Sequence, residues 1–166
     1  MNRTIASDFL CAGRRLRVRR SNVWLRWTAL AAGLHLFWEL AQLPLYTIYR
    51  QGDLPALTYA VAHCTAGDAL IALVTYLVTA TITRSLSWPH TRPWAGLAIA
   101  VLAGVAYTAF SEWRNVYRLG YWAYTDAMPL VLGIGLSPLM QWVVVPALIV
   151  VGLRLPAVQC SQCRHG

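Results

Sequence analysis

Four polar side chains recur along a stretch of sequence that is otherwise strongly apolar: His35, Glu39, Gln42 and Tyr46. At 100° per residue, the four lie within a sector of about 60° on one face of a helix. A histidine with a carboxylate one turn away can act as a base with its orienting group. The same pair can instead supply two ligands to one metal ion. This face is therefore the first candidate site in the chain.

A second apolar stretch carries Asp68 near its centre, while His63 lies about 140° away from Asp68 around the helix. An ionisable side chain at membrane depth costs a few kcal/mol and is a functional candidate by default. We therefore predict that His35, Glu39 and Asp68 are catalytic. The residues predicted to contact a substrate are Gln42, Tyr46, Glu112, Trp122 and Gln141.

A metal site is an alternative use of the same residues. Two histidines and two carboxylates suit zinc or another first-row divalent ion. The predicted ligand set is His35, Glu39, His63 and Asp68. No His-Glu-x-x-His string or other regular metal signature accompanies it, so the cofactor stays open, with zinc as the candidate ion.

One local string has a counterpart in a known family. His35-Leu-Phe-Trp-Glu39 resembles the His-x-x-x-Glu helix of the emopamil-binding sterol isomerases, over about five residues. The resemblance implies acid and base groups held inside a small helical bundle. The rest of that family's pattern does not occur in this chain, so the resemblance does not indicate membership.

The elements that must position these residues follow from composition. The chain of 166 residues is 58% hydrophobic and only 12% charged, whereas soluble domains carry about 25% charged residues. Crossing a hydrocarbon core of roughly 30 Å takes about 20 helical residues. Four apolar stretches are long enough, at about 24–49, 57–83, 94–113 and 129–155. We predict an all-α integral membrane four-helix bundle.

Topology follows from the arginines, which supply all the basic side chains. With the N-terminus inside, the inner arginines are Arg3, Arg14, Arg15, Arg17, Arg19, Arg20, Arg26, Arg84, Arg92, Arg154 and Arg164, and the outer ones are Arg50, Arg114 and Arg118. This positive-inside bias predicts a multi-pass protein of the cell membrane with both termini cytoplasmic. Residues 1–22 then form a basic cytoplasmic arm, 23–156 the transmembrane bundle and 157–166 a short cytoplasmic tail.

The basic arm also predicts a partner. Its arginines favour anionic lipid headgroups at the inner surface of the bilayer. No nucleic-acid-binding motif accompanies the arginines, and the remainder of the chain is too apolar for a soluble nucleic-acid-binding protein. We therefore expect lipid, and no nucleic acid, as the partner of the arm.

Close packing is predicted in the third apolar stretch. Gly96, Ala100 and Gly104 form a ridge of small residues, which permits a neighbouring helix to approach closely.

Three functions fit this pattern. The polar residues fall in the middle and outer part of the bilayer, which predicts a pocket open to the outside and closed toward the cytoplasm by apolar side chains. Such a pocket suits an enzyme acting on a lipid or an apolar small molecule through the His/carboxylate site. The alternatives are a small transport or accessory subunit that binds protons or a divalent metal, and a structural membrane subunit without its own chemistry. A carrier needs the polar stripe to reach the inner face, and here it stops.

Overall fold

A computed structural model describes residues 22–155 of the chain. It is mostly helical (80%), and three of its helices are long and apolar enough to cross a membrane. These are the helical segments Leu54–Thr83, Pro93–Leu119 and Leu136–Arg154. The expectation of a helical membrane protein is confirmed at this level. The basic arm and the short tail lie outside the described residues, except for Asn22.

The first helix, α1, spans Val23–Gln42. It ends at Gln42, before the predicted boundary at residue 49, so residues 24–49 do not form one continuous helix. Pro44 lacks a backbone N–H and cannot continue an α-helix, and a 3₁₀ turn at Leu43–Leu45 takes over. Tyr46 is then extended, before the four-residue helix α2 at Ile48–Gln51. Tyr46 therefore leaves the helical face on which the sequence had placed it.

Helix α3 spans Leu54–Thr83 and begins slightly earlier than predicted. Asp53 caps it by accepting a hydrogen bond from the backbone N–H of Ala56 at 3.0 Å, and Pro55 occupies the first turn, where a missing N–H costs nothing. A four-residue helix, α4 at Trp88–Thr91, then leads into α5 at Pro93–Glu112.

After α5 the chain continues as a π-helical segment at Trp113–Leu119, and this segment ends at Gly120, which has a φ of 63°. Residues 121–129 then cross back toward the first helix. Backbone hydrogen bonds join Thr47 N–H to the Ala123 carbonyl and Thr125 N–H to the Leu45 carbonyl, both at 2.9 Å.

The fourth apolar stretch was predicted to begin at residue 129, but its helix begins only at Leu136. Its first residues form a hairpin of two short antiparallel strands, β1 at Leu130–Val131 and β2 at Ile134–Gly135. The turn between them needs positive φ at both of its residues, 52° at Leu132 and 84° at Gly133, which an α-helix excludes. Helix α6 follows at Leu136–Arg154.

The four long helices pack in pairs. Helix α1 contacts α3 and α6, and α5 contacts the same two helices. Residues 43–53 and 113–135 gather at one end, called here the Tyr124 end, and residues 84–92 lie at the other, called the Trp88 end. Large apolar side chains still face outward along the helices, for example Phe37 and Leu102, which are 71% and 70% exposed. Outward apolar faces of this kind suit lipid contact.

The predicted ridge of small residues packs closely, as expected. A Cβ atom added to Gly104 would lie 2.2 Å from Cε3 of Trp142 on α6, and one added to Gly96 would lie 2.0 Å from Cε3 of Trp88. Ala100 between them is only 1% exposed. Two indole rings therefore fill the space that the missing side chains leave.

Toward the Trp88 end the core is aromatic. The rings of Trp27, Tyr76 and Trp88 lie 5.1–5.7 Å apart, centroid to centroid. The indole N–H of Trp27 donates to the Ala72 carbonyl at 3.0 Å, and the Tyr76 hydroxyl donates to the Leu86 carbonyl. We call these three rings the aromatic plug.

Candidate functional site

The side chains of three helices meet at one amide. Nε2 of Gln141, on α6, lies 2.8 Å from Nδ1 of His35, 3.2 Å from Oε1 of Glu39 and 3.0 Å from Oδ2 of Asp68. His35 and Glu39 belong to α1 and Asp68 to α3. The structure thus brings together the three residues that the sequence singles out as catalytic. We call these four residues the Gln141 cluster.

Burial within the Gln141 cluster is uneven. His35 is completely buried and Gln141 is 2% exposed, whereas the Asp68 side chain keeps 16% of its surface exposed. Buried polar groups need hydrogen-bond partners, because lipid supplies none.

The two nitrogens of the His35 ring have different surroundings. Nδ1 faces the Gln141 amide and lies 3.5 Å from Oδ2 of Asp68. Nε2 has no hydrogen-bond partner among residues 22–155, although it is buried. The ring also packs against Trp142, with 4.9 Å between centroids. Because the Gln141 amide N–H can only donate, Nδ1 accepts this hydrogen bond and the neutral ring carries its proton on Nε2. The ring therefore presents a buried N–H donor, which is what a general acid requires.

The two carboxyl groups of the cluster meet at one nitrogen. Oε1 of Glu39 and Oδ2 of Asp68 both accept hydrogen bonds from Nε2 of Gln141. No arginine forms an ion pair with either carboxylate within the described residues. The Gln141 amide is therefore the group that joins the two carboxyl groups.

Gln42 links the cluster to the start of α6. Its Nε2 donates to Oε1 of Glu39 at 2.8 Å, and its Oε1 accepts from the Ser137 hydroxyl at 2.8 Å. The indole N–H of Trp38 reaches the same hydroxyl at 3.3 Å. Gln42, which was predicted to bind a substrate, is only 5% exposed, and both ends of its amide are hydrogen-bonded to protein side chains. Its contact with the site is the hydrogen bond that orients Glu39.

A second cluster lies at the Tyr124 end, around Glu112. Oε2 of Glu112 accepts hydrogen bonds from the hydroxyl of Tyr124 at 2.5 Å and from that of Tyr46 at 3.4 Å. The Tyr124 oxygen in turn accepts from the backbone N–H of Gly135 at 3.1 Å. Tyr46, Glu112 and Tyr124 are called the Glu112 cluster. It joins the end of α5 to both loop segments at this end.

Trp122 completes the predicted substrate contacts. It is half-buried and lies beside the Glu112 carboxyl. Its indole N–H is buried and has no hydrogen-bond partner of standard geometry in the described part of the chain. Two predicted substrate contacts, Tyr46 and Trp122, thus lie beside a third, Glu112, and only Gln42 and Gln141 contact the residues predicted to be catalytic.

The predicted metal set is not assembled. His63 is exposed and stacks on Tyr59, with 5.5 Å between ring centroids, and it makes no contact with the Gln141 cluster. Across residues 22–155, no group of three or more His, Cys, Asp and Glu side chains is placed to hold a metal ion. The physical reason is the 140° that separates His63 from Asp68 around α3.

The sequence analysis did not predict the contacts that two residues, Trp142 and Tyr124, make in these clusters. Trp142 supports the His35 ring, and Tyr124 forms the shortest hydrogen bond to Glu112. Trp142 follows Gln141 directly, so helical periodicity gives no reason to place both at the same site. Tyr124 lies in a loop, where periodicity gives no signal.

In comparisons with known proteins, no family model, no curated protein and no solved structure matches this chain.

Proposed function

We propose that this chain is a four-span membrane protein with both termini cytoplasmic, and that it is an acid–base enzyme acting on a lipid or an apolar small molecule. His35 is the general acid, Gln141 orients it through Nδ1, and the carboxylates of Glu39 and Asp68 supply the general base. The observation that carries the proposal is the His35 ring, which is held through Nδ1 while buried Nε2 has no partner among the described residues.

The membrane arrangement rests on helix packing and charge. Helix α1 is 20 residues long, the length that a bilayer requires, and it contacts two of the three helices already apolar enough to span. Its lower hydropathy comes from Arg26 near one end and from His35, Glu39 and Gln42, which face its neighbours. Four antiparallel spans then place the Trp88 end, with Arg84 and Arg92, on the cytoplasmic side.

Topology is tested by cysteine labelling with a membrane-impermeant reagent, in a background where the native cysteines are serine. Gln51→Cys and Asp126→Cys, both exposed at the Tyr124 end, should react in intact cells. Thr91→Cys, exposed at the Trp88 end, should react only after the cells are opened. Labelling of position 91 from outside would reverse the proposed orientation.

The enzyme proposal can be tested without knowing the substrate. General acid–base chemistry at carbon exchanges a substrate proton with solvent, so the purified protein is incubated with a membrane lipid extract in D₂O. We expect mass spectrometry to show a lipid-soluble species that gains deuterium or changes structure. His35→Gln and Asp68→Asn should abolish the change, since general acid–base groups contribute about 10²–10⁴-fold. His63→Gln is the matched control and should keep it. No change with the native protein, or full activity in His35→Gln, would refute the proposal.

The two carboxyl groups that meet at the Gln141 amide, without an arginine partner among residues 22–155, favour a second candidate function, a proton-binding subunit of a transport system. Such a subunit needs a polar path to both faces of the membrane. The aromatic plug opposes this, as do the buried threonines of α3 toward the Trp88 end: Thr75 donates to the Ala72 carbonyl of its own helix at 3.1 Å and Thr83 to that of Thr79 at 2.7 Å. A pH-jump measurement on vesicles would show proton passage for a carrier and proton binding without passage for the enzyme.

A further inference from the structure

A different polar site lies at the Trp88 end, away from both clusters. A cleft of about 490 Å³ opens where α3 turns into α4 and α5. Its lining combines two guanidinium groups with hydroxyls and one aliphatic side chain, and it contains no carboxylate: Ile82, Thr83, Arg84, Ser85, Thr91 and Arg92. This lining suits an anion.

The positive charge of the cleft has no protein counter-ion. Arg84 and Arg92 are both exposed, and neither forms an ion pair within residues 22–155, where the one ion pair joins His35 to Asp68. Two like charges that line one cleft repel each other, and an anion bound between them would relieve this repulsion. Guanidinium groups bind phosphate oxygens through two parallel hydrogen bonds, which makes phosphate the best-matched anion.

The backbone fixes both arginines at the cleft. Arg84 ends α3 in a left-handed conformation, with φ 53° and ψ 37°, a region that residues other than glycine rarely adopt. The hydroxyls of Ser85 and Thr91 lie 3.1 Å apart and join the two sides of the turn. The chain therefore turns sharply at Arg84, while Ser85 and Thr91 connect it to the segment that carries Arg92.

The surroundings of the cleft indicate which phosphate it would take. Large apolar side chains flank it and face outward: Ile82 is 61% exposed, Leu86 65% and Trp94 71%. Tryptophan is typical of the membrane–water interface, and exposed aliphatic side chains beside it suit acyl chains. We propose that the cleft binds the phosphate of an anionic phospholipid headgroup, in the cytoplasmic leaflet if the proposed topology holds.

The test is native mass spectrometry of the full-length protein in detergent, titrated separately with phosphatidylglycerol, phosphatidylcholine and inorganic phosphate. We expect phosphatidylglycerol to bind about tenfold more tightly than phosphatidylcholine, because both lipids carry the phosphate but the choline cation of the second is repelled by the two guanidinium groups. Arg84→Gln/Arg92→Gln should remove that preference. Arg114→Gln/Arg118→Gln makes the same change of charge at the Tyr124 end and should keep it.

Two results would overturn the proposal. One is equal binding of phosphatidylglycerol by the native protein and by Arg84→Gln/Arg92→Gln. The other is binding of inorganic phosphate with no preference between the two lipids, which would mean an anion site that does not recognise lipid. If the glutamine variant does not fold, Arg84→Lys/Arg92→Lys keeps the charge and loses the two-bond geometry, and it should bind phosphatidylglycerol measurably more weakly. None of these variants touches the Gln141 cluster, so the outcome is independent of the proposed enzyme activity.

Discussion

Nδ1 of His35 and Oδ2 of Asp68 lie 3.5 Å apart across the interface between α1 and α3, and the amide of Gln141 contacts both atoms. Ionisable groups of two helices are therefore connected through a neutral side chain of a third. This makes Gln141 the residue on which the geometry of the proposed acid–base site depends.

The first prediction concerns Gln141. Gln141→Leu keeps the approximate volume and removes the amide that contacts His35, Glu39 and Asp68, so the protein should lose about 1–3 kcal/mol of stability, the usual cost of a buried polar group left without a partner. The midpoint of thermal unfolding in detergent measures the change. Gln51→Leu is the control, because Gln51 is exposed, and it should shift the midpoint little. Equal midpoints for the two variants would mean that the amide does not hold the cluster together.

The second prediction concerns Glu39, whose Oε1 accepts from the amides of Gln42 and Gln141. In Glu39→Gln the amide oxygen can still accept both hydrogen bonds, so stability should change by less than about 1 kcal/mol. Glu39→Leu removes the acceptor altogether and should cost about 1–3 kcal/mol. Unfolding in detergent compares the two variants. Identical losses would show that the two amides do not depend on an acceptor at position 39.

The third prediction concerns the Glu112 cluster. Tyr124→Phe removes the donor to Glu112 and the acceptor for Gly135 N–H, so it should destabilise the protein by about 1–3 kcal/mol. Tyr121→Phe is the matched control, since Tyr121 is 69% exposed, and it should have little effect. Thermal unfolding at neutral pH gives both values, and a loss in Tyr121→Phe equal to that in Tyr124→Phe would contradict the assignment.

The same tyrosine gives the protein a pH dependence. Burial, followed by the hydrogen bond to Glu112, raises the pKa of Tyr124 above its ordinary value of 10.0. The folded state thus keeps a proton that the unfolded chain releases, and the contribution of Tyr124 to stability, fully present below about pH 10, is lost as the pH rises further. Stability should therefore fall less steeply above pH 10 in Tyr124→Phe than in the native protein. An equal slope would show that Tyr124 ionises normally.

The long helices and the grouping of His35, Glu39 and Asp68 could be predicted from the sequence for a definite physical reason. Spacing on a helix fixes direction, so His35 and Glu39 had to share a face, and lipid cannot satisfy Asp68, so Asp68 had to find protein partners. Where the helix stops, this logic stops as well. Tyr46 was placed on the α1 face, but Pro44 ends that helix and Tyr46 turns to Glu112 instead.

Contacts between segments that are distant in sequence could not be predicted either, because helical periodicity does not encode them. The hairpin at Leu130–Gly135 depends on positive φ at Leu132, a residue that gives no turn signal by its type. The pairing of Leu45 with Thr125 depends on where two loops meet, which no periodicity encodes. The Gln141 cluster could therefore be anticipated in part, whereas the Glu112 cluster could not.

The last prediction tests the packing of α5 against α6, which positions Gln141 beside the other helices. A Cβ at position 104 would lie 2.2 Å from the ring of Trp142, a rigid side chain that is itself 1% exposed and packs on His35. Gly104→Ala should therefore force the indole away and cost about 1–3 kcal/mol, the usual range for overpacking a core. Gly33→Ala is the matched control: no atom lies within 4 Å of the added Cβ, and alanine favours the helix, so stability should stay equal or rise by up to about 1 kcal/mol. Thermal unfolding in detergent compares the variants, and Trp fluorescence reports whether the indole environment changes. If Gly104→Ala were as stable as Gly33→Ala, α5 and α6 would not approach as closely as Trp142 requires, and the support of the His35 ring by Trp142 would have to be abandoned.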